Sequence, residues 1–189
     1  VTNGGSVVEL NNTTLDGFSD QNNNIWTGRV FGAGIIEGGE NTNLTHESAK
    51  VIINNVGGKT YDKDTGESVV NKDPGAEIYG GGQLYGSKNA VLNVKNTQVT
   101  VDGEDTAAYA VFGGNGISGT ITKDEVSTAV VGNTEVTVNN GNIVGLLVGG
   151  NDTNWFGTSV VGVLDEDGTY EYNGKKYSAG STKVTLNGG

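Results

Sequence analysis

Apolar and polar residues alternate one by one through much of this chain, and they do so in a phrase that keeps returning. Gln98-Val99-Thr100-Val101-Asp102-Gly103 sets an apolar side chain at every second position and stops at a glycine. A period of two puts the valines on one face of a β-strand and the polar residues on the other. The phrase returns as Lys50-Val51-Ile52-Ile53-Asn54-Asn55, as Glu135-Val136-Thr137-Val138-Asn139-Asn140-Gly141 and as Lys183-Val184-Thr185-Leu186-Asn187-Gly188-Gly189. A second phrase is apolar without a break and ends in small residues: Val30-Phe31-Gly32-Ala33-Gly34, Ile78-Tyr79-Gly80-Gly81-Gly82, Val111-Phe112-Gly113-Gly114-Asn115 and Leu147-Val148-Gly149-Gly150-Asn151. No window shows apolar residues spaced by threes and fours, so essentially no α-helix is expected. The nearest thing, residues 120–126, is rich in Thr and Ile and reads as strand.

The two phrases repeat together. Gly32, Gly80, Gly113 and Gly149 are 48, 33 and 36 residues apart, and Val51, Val99, Val136 and Val184 are 48, 37 and 48 apart. A unit of mid-thirties length, lengthened by inserts near residues 59–76 and 165–180, accounts for both series. Residues 59–70 read as a hairpin turning at Asp64-Thr65-Gly66, and residues 168–177 as one turning at Asn173-Gly174. Asn-Gly suits the type I′ turn because both central residues need positive φ. Ahead of the first unit, a strand over residues 6–10 is followed by Asn-rich turns at 11–12 and 21–24. Repeats of this length predict an all-β parallel β-solenoid with projecting hairpin inserts, one region over residues 1–189. In such a stack equivalent side chains pile into ladders. Phe31, Tyr79 and Phe112 would form an aromatic ladder continued by Leu147 or Val148, Val51 to Val184 an aliphatic one, and Asn54, Asn139 and Asn187 an amide one. The glycines after each aromatic would turn a corner where a Cβ has no room. The competing architecture is an antiparallel Gly-rich sandwich, in which the same strands pair through hairpins.

Composition narrows the class. Hydrophobic residues make up 34% of the chain and aromatics 7%, little for one thick core, while 33 of the 189 residues are glycine. The formal charge is −11 with a single arginine, Arg29. That excludes phosphate-rich partners such as nucleic acid, which need clustered cations. No apolar run reaches the eighteen or so residues of a spanning helix, so no membrane insertion is expected. Cysteine is absent, so there is no disulfide framework and no thiolate metal site.

The closest phrases, residues 78–82, 96–103, 133–141 and 181–189, resemble the parallel β-helix passenger repeats of bacterial autotransporter-type surface adhesins. Those also combine Val-Tyr-Gly-Gly-Gly-like endings with Asn-Thr-x-Val-Thr-Val-Asn-Gly-Gly-like strands. The resemblance implies an extracellular or cell-surface stalk or adhesive surface and carries no catalytic residue across. The unequal unit lengths and the hairpin inserts depart from a regular repeat.

Candidate chemistry is sparse. Imidazole catalysis could come only from His46, in Leu44-Thr45-His46-Glu47, which reads as a solvated loop residue. No nucleophile elbow or phosphate-binding loop accompanies it. Asp62, Asp64 and Glu67 place oxygens at the alternate positions of a Ca²⁺ loop, although the twelve-residue ligand set is incomplete. Calcium is the one cofactor the pattern suggests, and a hydrated hairpin turn is the plainer reading. Trp155, Tyr170 and Tyr172 lie in inserts where aromatic faces could stack on sugar rings, with cross-strand packing as the alternative. Three functions compete. The first is a non-enzymatic structural or adhesive solenoid of a cell-surface or filament protein. The second is a polysaccharide-binding or polysaccharide-degrading β-helix protein, with Asp102, Glu104 and Asp105 as its carboxylates. The third is an ice- or mineral-binding face built on Thr100, Thr137 and Thr185. The expected partners are copies of the chain end to end or flanking repeats of the same chain, then glycans or a host surface. Residues 1–5 and 184–189 share the repeat's phrasing and show no polar cap, which suggests a segment or protomer of a longer assembly.

Overall fold

The computed structural model describes residues 2–19, 25–26, 28–58, 60–62, 64–67, 76–118, 127–153, 157–164, 170–172 and 175–188. These residues form strands and turns without a helix. First come β1 (Thr2–Thr14), β2 (Gly17–Ser19), β3 (Ile25–Trp26), β4 (Arg29–Phe31) and β5 (Ile35–Glu37). Next are β6 (Asn43–Gly57), β7 (Thr60–Asp62), β8 (Ala76–Tyr79) and β9 (Gln83–Tyr85). The third group is β10 (Val91–Asp102), β11 (Ala107–Phe112) and β12 (Gly116–Ser118), and the fourth β13 (Ser127–Val138), β14 (Asn142–Val148) and β15 (Asp152–Thr153). The last is β16 (Gly157–Leu164), β17 (Tyr170–Tyr172), β18 (Lys175–Ala179) and β19 (Thr182–Leu186).

Each of the first four groups supplies one strand to each of three parallel sheets, and the last adds strands to the long sheet alone. The long sheet runs β1-β6-β10-β13, and β13 then pairs with both β16 and β19. The second sheet runs β4-β8-β11-β14 and the third β5-β9-β12-β15. The chain visits them in rotation: long, second, third, long again. Among the described residues antiparallel pairing is confined to β2 with β3, β16 with β18 and β17 with β18. The antiparallel sandwich is therefore excluded for the repeats, whose strands meet only in parallel.

The registers follow the repeat. Val8, Val51, Val99, Val136 and Val184 are partners in turn across the long sheet, and so are Leu10, Ile53, Val101, Val138 and Leu186. In the second sheet Val30, Ile78, Val111 and Leu147 are successive partners, followed by Phe31, Tyr79, Phe112 and Val148. The ring centroids of Phe31 and Tyr79 are 5.0 Å apart and those of Tyr79 and Phe112 4.9 Å, in stacked geometry. The expected aromatic and aliphatic ladders both exist, and Val148 continues the first. One core lies between the downstream half of the long sheet and the second sheet, where Val51, Val99 and Val136 meet Ile78 and Val111. Another lies between the upstream half and the third sheet, where Leu92, Val94 and Ala129 meet Ile36, Leu84 and Ile117.

The glycine corners explain why the second phrase ends as it does. A Cβ on Gly32 would lie 2.3 Å from the carbonyl oxygen of Gly80, one on Gly80 2.3 Å from that of Gly113, and one on Gly113 2.3 Å from that of Gly149. Each repeat thus rests backbone on backbone against the next, and only hydrogen fits between them. The valine ladder closes the other side of this corner: the Cγ2 atoms of Val51, Val99 and Val136 would be 3.0, 2.9 and 3.0 Å from the same three Cβ positions.

Three features differ from the pattern read along the chain. The long strands start well before the alternating phrase, because Val91-Leu92-Asn93-Val94 and residues 127–132 are buried on both faces and carry no alternation. The first strand does not turn at Asn11-Asn12; it continues to Thr14 with Asn12 at φ 49°, matched by Asn55 at φ 51° in β6. The amide ladder has an aspartate in it. Asn187 Nδ2 donates to Asn139 Oδ1 at 2.8 Å, Asn139 Nδ2 donates to Asp102 Oδ2 at 3.3 Å, and Asp102 is in register with Asn54. In the second insert β17 and β18 pair antiparallel, with Tyr172 opposite Lys175, while the expected turn at Asn173-Gly174 lies outside the described residues; the insert falls between β16 and β19, which both pair with β13.

Candidate functional site

The outer face of the long sheet carries an ordered set of polar side chains. Four columns of side chains cross it. One holds Ser48, Asn96 and Asn133; the next Val7, Lys50, Gln98, Glu135 and Lys183; the next Glu9, Ile52, Thr100, Thr137 and Thr185; the last Asn11, Asn54 and Asp102. Their spacing of about 4.8 Å is that of strands in a sheet. Neighbours within a column bond to one another. Asn133 Nδ2 donates to Asn96 Oδ1 at 3.2 Å, Gln98 Nε2 to Glu135 Oε2 at 3.4 Å, and Lys183 Nζ to Glu135 Oε1 at 2.9 Å. The hydrogen bond from Lys183 holds the Glu135 carboxyl below its ordinary value. Two open hollows lie on this face. One of about 300 Å³ is lined by Asn96, Gln98, Asn133, Glu135, Ser181 and Lys183. The other, of about 480 Å³, runs from Gly5 and Val7 to Ser48, Lys50, Asn96 and Gln98. The threonine file spans Thr100, Thr137 and Thr185 and then gives way to Ile52 and Glu9.

Asp62, Asp64 and Glu67 fall in one exposed turn. The Asp62 carboxylate accepts from the backbone N–H of Asp64 at 2.9 Å and of Thr65 at 2.7 Å. The Thr65 amide in particular holds its carboxyl below the ordinary range. Glu67 joins through its backbone, its carbonyl accepting from the Asp62 N–H at 2.9 Å and its own N–H donating to Thr65 Oγ1 at 3.3 Å. The Asp62 carboxylate is thus directed at the turn's own amides, and among the described residues no group of three acidic or histidine side chains converges on a point. Trp155 lies outside the described residues. Tyr170 and Tyr172 sit on β17, paired across the hairpin with Tyr177 and Lys175.

His46 is not a loop residue. It lies on β6 at 7% exposure, with Nε2 2.9 Å from Ser6 Oγ on β1. Ser6 donates its own proton to the carbonyl of Gly32. With that proton engaged, Nε2 is the donor of the pair, and the buried Nδ1 has no hydrogen-bond partner among the described residues. Ser6 is oriented as a relay between two repeats, with its proton turned away from the ring, and is not an activated nucleophile. Asp102 is likewise engaged, accepting from the Gly103 N–H at 2.8 Å and from Asn139, while Glu104 and Asp105 stand in an exposed turn.

One cluster went unread in the sequence. The Tyr79 hydroxyl donates toward Asp152 Oδ2 at 3.1 Å and lies 3.4 Å from Glu77 Oε2, and Glu77 is bonded to Arg29 Nε at 2.7 Å. Burial pushes the Asp152 carboxyl above its ordinary value, with the Tyr79 hydrogen bond opposing and the Glu77 charge adding. Burial, with the Glu77 and Asp152 charges, also pushes the Tyr79 phenol well up. The signal was present in the repeat alignment, where Arg29-Val30-Phe31 overlies Glu77-Ile78-Tyr79. The cluster joins strands from the first, second and fourth groups at the edge of the aromatic ladder.

We found no match to the chain among protein-family models, curated proteins or solved structures.

Proposed function

We propose that the three parallel sheets are the faces of one parallel β-solenoid, and that the chain is a non-enzymatic structural and adhesive element of a bacterial cell-surface or filament protein. The observation that carries this reading is the shared register. Each of the three sheets takes its strands from the successive groups in the same order and in register, which supports a single stacking direction. The polar groups fit the same purpose: Asp102, Asn139, Glu135, Lys183, His46 and Ser6 each bond to the neighbouring repeat. Extracellular placement follows from the resemblance to autotransporter-type passenger repeats. The hollows on the outer face favour a second reading, a polysaccharide-binding surface, because amides and hydroxyls at regular spacing can meet successive sugar hydroxyls. A panel of acidic and neutral polysaccharides tests both. The structural reading expects no release of reducing ends, and release would overturn it. Retention on a polysaccharide gel that is lost with Asn133→Ala and Gln98→Ala would establish the adhesive face.

A further inference from the structure

The two hollows on the outer face of the long sheet are parts of one groove. They share Asn96 and Gln98 and so meet on β10. One wall is the column of Ser48, Asn96 and Asn133, joined by Ser181, whose hydroxyl donates to Asn133 Oδ1 at 3.1 Å. The other wall is the column of Lys50, Gln98, Glu135 and Lys183. Between the walls Ala49, Thr97 and Thr134 are buried, and Thr97 and Thr134 bond inward to the carbonyls of Gly113 and Gly149. That leaves strand backbone as the floor. The groove therefore runs across the strands, in the direction in which they stack. It crosses β1, β6, β10, β13 and β19, a span of about 19 Å at the spacing of strands in a sheet.

We propose that this groove binds a neutral β-1,4-linked glycan laid along the stacking direction, with one sugar to each strand. The inference rests on the polysaccharide-binding reading above and gives it a linkage, a charge and an orientation. The walls supply the chemistry. Asn133 Nδ2 donates one hydrogen to Asn96 Oδ1, and Gln98 Nε2 one to Glu135 Oε2. Each amide nitrogen carries a second hydrogen and each amide oxygen a second lone pair. Donors and acceptors thus recur from strand to strand, as the hydroxyls of a regular glycan recur from sugar to sugar. An extended β-1,4-linked chain runs straight and advances by roughly one strand spacing per sugar, whereas an α-1,4-linked chain coils away from a straight ladder. Charge selects a neutral chain. Lys183 is already paired with Glu135 at 2.9 Å, and amides occupy the place where the hollows meet. A polyuronate would set a carboxylate at every strand, one of them against Glu135, and the net charge of −11 would repel it at longer range. An extended peptide fits poorly, because strand addition needs a free sheet edge and the floor strands already pair on both sides at β6, β10 and β13.

Titration calorimetry of the 189-residue chain with oligosaccharides of defined length tests this. In at least one of the β-1,4-linked glucose, xylose and mannose series, affinity should climb from the disaccharide to the pentasaccharide, as successive strands are engaged, and the three series tell the sugars apart. A chain lying along the strands instead would touch only the two walls and stop gaining at the disaccharide. Maltopentaose and pentagalacturonate, of equal length, should bind about tenfold more weakly or worse. Asn96→Ala and Gln98→Ala should each weaken the best pentasaccharide by up to about tenfold, the worth of one or two neutral hydrogen bonds. Thr100→Ala/Thr137→Ala, on the same face but outside the groove, should leave it unchanged. Circular dichroism of each variant checks that the β fold is kept. Equal binding of maltopentaose or pentagalacturonate, no gain beyond the disaccharide, or an equal loss from the threonine variant would overturn the groove assignment while leaving a sugar-binding face. Absence of binding by every oligosaccharide would overturn the inference and the polysaccharide-binding reading together.

Discussion

At Gly80 and Gly113 neighbouring repeats meet backbone to backbone, and this contact sets the tolerance of the residues around it. An alanine at either position would place its Cβ 2.3 Å from a carbonyl oxygen, with a valine methyl about 3 Å away on the other side. Neither neighbour can give way without moving a strand, so Gly113→Ala is expected to cost at least the roughly 1–3 kcal/mol of an overpacked core. Chemical denaturation checks this, and a loss below about 0.5 kcal/mol would show that the corner is looser than described. Phe112 is 5% exposed and stacked on Tyr79, so Phe112→Ala should cost about 3–5 kcal/mol. Asp152 gives a pH signature. Its carboxyl is raised in the folded chain, so the folded state holds its proton more tightly than the unfolded state. Stability from this group is therefore present at low pH and declines as pH rises from the ordinary carboxylate value of 3.8 upward. Asp152→Asn keeps an acceptor for the Tyr79 hydroxyl and removes the charge. Its melting temperature relative to the native chain should climb through that window and then level off; a difference that stays constant with pH would contradict the assignment.

At the scale of elements, the alternating strands and the unbroken apolar phrases before the glycines were legible, while the upstream halves of the long strands were missed. Residues 98–102 announce themselves because one face is wet and the other dry. Val91-Leu92-Asn93-Val94, in the same strand, is buried on both faces and leaves no period to read. The glycine anchors were readable because steric exclusion acts at single positions repeated in step with the strands. Contacts that bring together distant residues of different types left no such mark. The bond from Tyr79 to Asp152 joins positions 73 apart, and the His46–Ser6 contact joins positions 40 apart. The pairing of β17 with β18 was legible from the Asn-Gly dipeptide between two alternating arms, but not its place inside a long strand, since β16 and β19 each keep the register of β13. This arrangement makes the hairpin dispensable. Replacing residues 165–180 with a short Gly-Ser link should shift the melting temperature by only a few degrees, because β13 retains both its partners. A collapse of folding would show that the hairpin holds the last rung together.

Across the whole molecule, strands of successive repeats pair side by side in a fixed register. The absence of cysteine makes that claim measurable without background. Thr100, Thr137 and Thr185 follow one another in a column on the outer face of the long sheet. Adjacent rungs are about 4.8 Å apart, within the roughly 4.4–6.8 Å between Cα atoms that a disulfide bridges. Oxidation of Thr100→Cys/Thr137→Cys and of Thr137→Cys/Thr185→Cys under native conditions should give intramolecular disulfides in high yield. Thr100→Cys/Thr185→Cys, two rungs and about 9.6 Å apart, should remain free. Failure of either adjacent pair to close, or ready closure of the two-rung pair, would contradict the stacked register on which the proposed function stands.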